Sequence, residues 1–178
     1  MTRRGLLLTM TEPPPAIEDE FNAWYESEHL PERLAITGFR SARRWVADVA
    51  PGEGKYLATY ELESAAVLAS PQYLSFFEKP TAWTRRCLGK AVVFRRWACE
   101  QITPGHADCH PAAKALLLLC SDQALPEFGL AGALQTRRFL ASAGEPRHVV
   151  LVESGRDGAH SLPALPSGVL AREYHALS

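Results

Sequence analysis

Four residues in one short stretch have the types that proton chemistry requires. The run "WYESEH" holds Trp24, Tyr25, Glu28 and His29. Histidine is the side chain most easily poised to move a proton near neutral pH. A tyrosine four positions earlier lies one helical turn back, where its hydroxyl can steady developing negative charge. His29 is therefore the candidate catalytic base and Tyr25 its partner. The matching chemistry is isomerisation, cyclisation, or oxygenation through a substrate carbanion, with activity rising with pH as the imidazole deprotonates. The competing reading of His29 is a cation at a helix C-terminus, held there by the helix dipole.

The elements that must position these residues can be read around them. A helix from about Ile17 to His29 should end near Pro31, whose ring blocks continuation. Turned at about 100° per residue, that helix buries Ile17, Phe21 and Trp24 on one stripe. Glu28 falls on the same stripe, with Tyr25 and His29 on its flank. A carboxylate on an apolar face must be paired, hydrogen-bonded or protonated. The expected partner is Arg43 or Arg44 of the following strand, and the functional alternative has Glu28 tuning a neighbouring acid or base.

Later segments supply further candidates. Trp45, Trp83 and Trp97 suit core packing. Trp83 follows Pro80-Thr81 in a stretch that reads as irregular, where a pocket lid could form. Tyr60 lies on a strand that could face the same cavity. Arg43, Arg95 and Arg137 alternate with apolar neighbours, so in a cavity they would suit a carboxylate or phenolate ligand. On a solvent face they would do nothing specific. The ligand-binding set read from the sequence is Trp24, Glu28, Arg43, Tyr60, Trp83 and Arg95, beside catalytic His29 and Tyr25.

Other chemistries lack their signatures. The chain has no GxSxG, GxGxxG or P-loop run, and "HLPE" lacks the second histidine of a metalloprotease helix. The cysteines Cys87, Cys99, Cys109 and Cys120 show no paired CxxC spacing. Only "HADCH" (His106, Cys109, His110) hints at a metal, short of the usual four ligands. No metal and no cofactor is expected. A formal charge of −1 over 178 residues gives no footprint for nucleic acid. No segment approaches the ~18 apolar residues of a membrane span, and "MTRRGLLLTMTEPPP" reads as a strand, not a signal peptide. A cytoplasmic location is expected.

Alternation and turn signals give strands at 4–10, "FRSARRWVADV", "KYLATYEL" and "AVVFRRWACEQI", with helices after the first and third. Ser70-Pro71 opens the second of these as N-cap and first-turn proline. The order is βαββαβ. The remainder repeats it: "AAKALLLLC", "ALQTRRFLAS", "RHVVLVES" and "GVLAREYHAL", the second and fourth matching earlier strands around an Arg-Arg-aromatic step or its variant. Both intervening connections, including "DQALPEFGLAG", are too short for ordinary helices. The reading is a complete repeat over 1–103, a linker over 104–111, and a repeat with reduced helices over 112–178. An open sheet face would expose apolar side chains, so the second sheet is expected to cover the first.

The run "WYESEHLPERLAITGFRSARRW", with "KYLATYEL" and "PTAW", resembles the dimeric α/β-barrel proteins, ferredoxin-like domains related to the EthD-like group, over about residues 3–102. That resemblance implies an α+β fold: tandem ferredoxin-like repeats forming an intramolecular dimeric α/β-barrel. Its members include cofactor-free monooxygenases, polyketide cyclases, lactone isomerases and haem enzymes. It implies a pocket between first helix and sheet, with His29 of "EHLP" in the histidine's place, and an aromatic or polyketide-like small molecule as ligand. The different-class alternative is a non-catalytic ligand-binding or scaffold protein of the same fold. With its own second repeat the chain should be a monomer or a homodimer of complete barrels.

Overall fold

A computed structural model describes residues 2–155 and 164–177. In chain order the elements are β1 (Gly5–Glu12), α1 (Glu18–Trp24), α2 (Leu30–Leu34), β2 (Phe39–Val46), β3 (Tyr56–Leu62), α3 (Pro71–Glu78), α4 (Ala82–Gly89), β4 (Val93–Thr103), β5 (Ala115–Ser121), β6 (Ala133–Ala143), β7 (His148–Ser154) and β8 (Leu170–Ala176). A π-helical turn, Tyr25–His29, joins α1 to α2.

The strands close into one barrel in the order β1-β3-β2-β8-β5-β7-β6-β4, with β4 returning to β1. Every pairing is antiparallel. The fold is thus a mostly-β antiparallel barrel of eight strands with few helices. A barrel is what the sequence led us to expect, and it closes by pairing along strand edges. The edges β2 and β4 pair with β8 and β6, so both edges of each four-strand set are used up instead of left open. Among the described residues every α-helix lies in the first half. "DQALPEFGLAG" is irregular, as expected, while most of the other short connection (156–163) lies outside the described residues.

The period-2 alternation of the strands divides the core into layers. Leu6, Leu8 and Met10 of β1 point into the barrel, where they meet Trp45, Leu57, Trp97, Leu118, Phe139, Leu151 and Tyr174. Leu7, Tyr60 and Leu62 point outward, against Phe21, Trp24 and Tyr25. Helices therefore cover the outside of the first half. On the second half Leu117, Leu119, Val150 and Val152 are covered by Leu125, with Phe128 and Leu130 beside them.

The Arg-Arg-aromatic steps are split by the same alternation. The first arginine of each shares the inner face with its aromatic and stacks on it: Arg43 on Trp45 at 5.9 Å, Arg95 on Trp97 at 4.9 Å, Arg137 on Phe139 at 5.3 Å. The second lies over an aromatic of the outer layer: Arg44 over Tyr25, Arg96 over Tyr73, Arg138 over Phe128.

One end of the interior is held by ions. Arg137 donates to Glu61 at 2.8 and 2.9 Å and to Glu153 at 2.7 Å, all three being almost fully buried. Glu153 also accepts from the His110 backbone and from Gln135. Arg43 donates to the carbonyls of His110, Pro111 and Ala113, so the segment between β4 and β5 closes this end. Burial would lower the Arg137 pKa, yet Glu61 and Glu153 hold it above its ordinary value. Burial pushes the Glu61 carboxyl up, with Arg137 opposing. Arg137→Met would leave two buried carboxylates without a cation. Urea unfolding at pH 7 should show a loss of about 3–5 kcal/mol, and a loss under about 1 kcal/mol would mean that water reaches this end.

Candidate functional site

The helical segment does not stop at Pro31. α2 runs through it to Leu34, with the proline in its first turn. The reason is the π turn ahead of it. Leu30 N–H donates to the Tyr25 carbonyl, five residues back, so the ladder has already left the i−4 register that a proline would interrupt. His29 is consequently inside a continuous helical run, and its expected place at a helix C-terminus is corrected. The wider turn also delays the rotation assumed for a regular helix. His29 turns into the buried layer (7% exposed), while Glu28 moves to its half-buried margin.

Between this segment, α3 and the outer face of β1, β3 and β4 lies a cavity of about 40 Å³. Its lining includes Tyr25, His29, Arg33, Tyr60, Tyr73 and Arg96, with Phe77 and Phe94 as exposed members. The His29 ring lies 4.4 Å from Trp24, 4.9 Å from Tyr25 and 6.3 Å from Tyr60 (centroid distances). The Tyr25 hydroxyl shares a 3.3 Å hydrogen bond with Thr9. Arg44 lies 4.3 Å over the Tyr25 ring and donates to Asn22 at 2.6 Å.

Buried side-chain atoms normally find partners. Among the described residues seven make no hydrogen bond: Arg4 Nε (3.6 Å from Asp108), His29 Nδ1, Arg33 Nη1, Tyr60 OH, Trp83 Nε1, Arg96 Nε and Glu173 Oε1. Four of these seven (His29, Arg33, Tyr60, Arg96) belong to the lining of this one cavity. Burial, helped by the positive charges of Arg33 and Arg44, lowers the His29 pKa to about 3. The imidazole is therefore neutral at physiological pH, and a limb of rising activity across the usual histidine range is not expected. Burial raises the Tyr60 phenol well above its ordinary value.

The sequence-derived residues divide between this cavity and other places. Tyr25, His29 and Tyr60 line it. Trp24 is fully buried behind His29, its indole N–H shared between Glu28 (3.2 Å) and Thr84 (3.1 Å). Glu28 Oε1 also accepts from Thr81 at 2.5 Å and Thr84 at 3.1 Å. Its partners are hydroxyls and an indole instead of Arg43 or Arg44, because Arg43 points into the barrel and Arg44 sits over Tyr25. Trp83 is in α4, where Thr81 caps the helix by accepting from Thr84 N–H, so the stretch read as irregular is helical. Arg43 and Arg95 are on the inner face, away from the cavity.

Sequence reasoning missed Arg33, Tyr73 and Arg96. Arg33 lies four residues after His29, the helical spacing that puts two side chains on one face. Arg96 has the parity of Phe94, whereas Arg95 has that of Trp97.

The comparisons with known proteins bear on the fold. No protein-family model matches the chain, and no curated protein matches it. The structure is similar to the crystal structure of an anthrone oxidase-like protein, with a TM-score of 0.61. The match covers 100% of this chain and 92% of that one at 10% sequence identity, a likeness of fold alone. Among the described residues no three His, Cys, Asp or Glu side chains converge to hold a metal ion, and no helix is long and apolar enough to cross a membrane.

Two measurements check this geometry. Glu28→Ala removes the acceptor shared by Trp24, Thr81 and Thr84 and should cost about 1–3 kcal/mol in urea unfolding, with Glu28→Gln costing less. An unchanged midpoint for Glu28→Ala would mean that the three donors are satisfied by water. His29 should also make stability depend on pH. Its folded pKa is about 3 against 6.5 in the open chain, so below 6.5 the unfolded state binds a proton that the folded state refuses. The full contribution is present above that value and is lost as pH falls, at up to about 1.4 kcal/mol per pH unit. His29→Gln should flatten that part of the slope between about pH 6 and 4. Equal slopes for the two proteins would show that His29 titrates normally in the folded state.

Proposed function

We propose that this barrel binds a small aromatic or polyketide-like molecule and carries out cofactor-independent proton transfer on it: isomerisation, cyclisation, or oxygenation through a carbanion. The observation that carries the reading is the concentration of unpartnered buried polar atoms around one cavity. Desolvated donors and acceptors of this kind are costly unless a ligand completes them. His29 Nδ1 is the base in this reading. A neutral imidazole takes a proton from a carbon acid and becomes imidazolium. Burial makes that cation costly, so it persists only while the new carbanion or enolate lies beside it. Tyr25 and Tyr60 offer hydroxyls to the enolate oxygen, with an arginine adding charge. The similarity to an anthrone oxidase-like protein supports an enzyme-like barrel and suggests phenolic carbon acids as first substrates to try.

The same proposal includes the finer architecture. The two halves of the ring have matching orders, β4-β1-β3-β2 and β8-β5-β7-β6. This supports two ferredoxin-like repeats, 1–103 and 112–178, joined by 104–111. Such a chain supplies its own partner, and a monomer or a pair of complete barrels is the proposed state in a cytoplasmic setting.

The cavity volume of about 40 Å³ favours a second reading, a non-catalytic protein whose interior is nearly filled. Assay of the purified protein with anthrone-type and cyclic diketone carbon acids, in air, separates the two. Turnover by the wild type, abolished in His29→Ala with the circular dichroism spectrum retained, is the expected result. Because His29 is already neutral, its contribution to rate should be level from about pH 5 to 8. Full turnover by His29→Ala would remove this residue from the mechanism.

A further inference from the structure

Among the described residues the buried arginines are partnered in every place but one. Arg137 has two glutamates, and Arg44 has Asn22 with Glu26 at 3.9 Å. Arg33 is 6% exposed, yet among the described residues its side chain makes no hydrogen bond and no ion pair, and its Nη1 is buried. It is held only by aromatic rings, with the guanidinium 4.6 Å from the Phe76 centroid, 5.6 Å from Tyr73 and 5.9 Å from Phe77. Ring faces stabilise a cation without neutralising it. Arg96, across the same cavity, donates Nη2 to the Tyr73 hydroxyl at 3.0 Å and leaves its buried Nε unused.

Among the described residues no aspartate or glutamate lines the cavity. Glu32 feels Arg33 electrostatically and shares with it the lining of a neighbouring groove, beside Lys79 and Thr81, but the pair does not come within 4.0 Å. The space thus brings together two arginines and a neutral histidine, with no acidic side chain among the described residues of its lining. Its rim is apolar: Phe77 is 57% and Phe94 52% exposed.

We infer that Arg33 and Arg96 together bind the anionic head of an apolar carboxylate, whose hydrocarbon or aromatic body leaves the cavity between Phe77 and Phe94. The head is small enough for the enclosed space, and the body covers the two exposed rings. Planar guanidinium groups suit a carboxylate through paired, charge-assisted bonds. This assignment rests on reading the cavity as a ligand site, but it does not require that His29 catalyse anything.

The test is calorimetric titration at pH 7 with 2-naphthoate and with 2-naphthamide, which keeps the shape and lacks the charge. Wild type should bind the acid about 10- to 100-fold more tightly than the amide. Arg33→Met, which keeps the apolar stem, should erase that preference, and Arg96→Met should reduce it. Arg33→Lys should keep part of it, and Arg3→Met, on the exposed Glu100 pair, should change nothing. Thermal melts of each variant confirm folding; should Arg33→Met fail to fold, Arg33→Lys and Arg96→Met carry the test. Equal binding of acid and amide overturns the carboxylate assignment while leaving a ligand site in place. Binding of neither overturns both. Tight, arginine-dependent binding of the acid in His29→Ala, without turnover in the wild type, upholds the assignment and removes the catalytic reading.

Discussion

In the first half of this barrel both faces of the sheet are covered, one by the interior and one by helices. All residues of β1 and β3 are buried as a result. That double burial is the constraint on which the remaining structure depends. A polar side chain on either strand has no route to bulk water and must find a partner from the layer it faces. Thr59 meets the Trp45 indole at 3.0 Å, Glu61 meets Arg137, and Thr9 meets Tyr25. The Tyr60 hydroxyl has only Tyr25 near it and no well-formed hydrogen bond, and single atoms of His29, Arg33 and Arg96 around the cavity are likewise unpaired. The site is therefore marked by polar groups left incomplete, where the surrounding layers complete theirs.

The same division into an inner and an outer layer bears on the arginines that stand beside aromatics on β2, β4 and β6. Consecutive arginines cannot face the same way on a pleated strand, so each Arg-Arg step sends one cation to each layer. Both are lodged by stacking on rings and by carbonyl, carboxylate, amide or hydroxyl oxygens near them. The barrel can keep such charges because their long stems lie against apolar surface while their heads reach an end or a groove.

Much of the fold was legible in the sequence. The strand positions, the Ser70-Pro71 helix start and the helix-poor second half follow from alternation, capping residues and connection length. Side-chain placement was harder, and the reason is parity. A strand's face is set by a period of two, so choosing Arg43 and Arg95 over Arg44 and Arg96 moved two cations to the opposite layer. The helix raised a related difficulty. No residue type announces a π turn, so a regular wheel put Glu28 in the stripe and His29 on its flank. Proline then marked a stop that the shifted ladder did not need. His29, Tyr25 and Tyr60 were found because aromatic and titratable residues crowd one helix. Arg33 lies beyond the proline at which a regular helix would end, so the sequence does not place it beside His29.

The helices that enclose the candidate site all belong to the first half of the chain, whereas Leu125, Phe128 and Leu130 occupy the corresponding outer face of the second. Two identical chains closing such a barrel would have carried the cavity twice, related by symmetry. Here a single polypeptide supplies it on one side, so the ligand proposed for it would occupy one site per chain. On that proposal saturation would be hyperbolic, and a sigmoid response would have to arise from association between whole barrels.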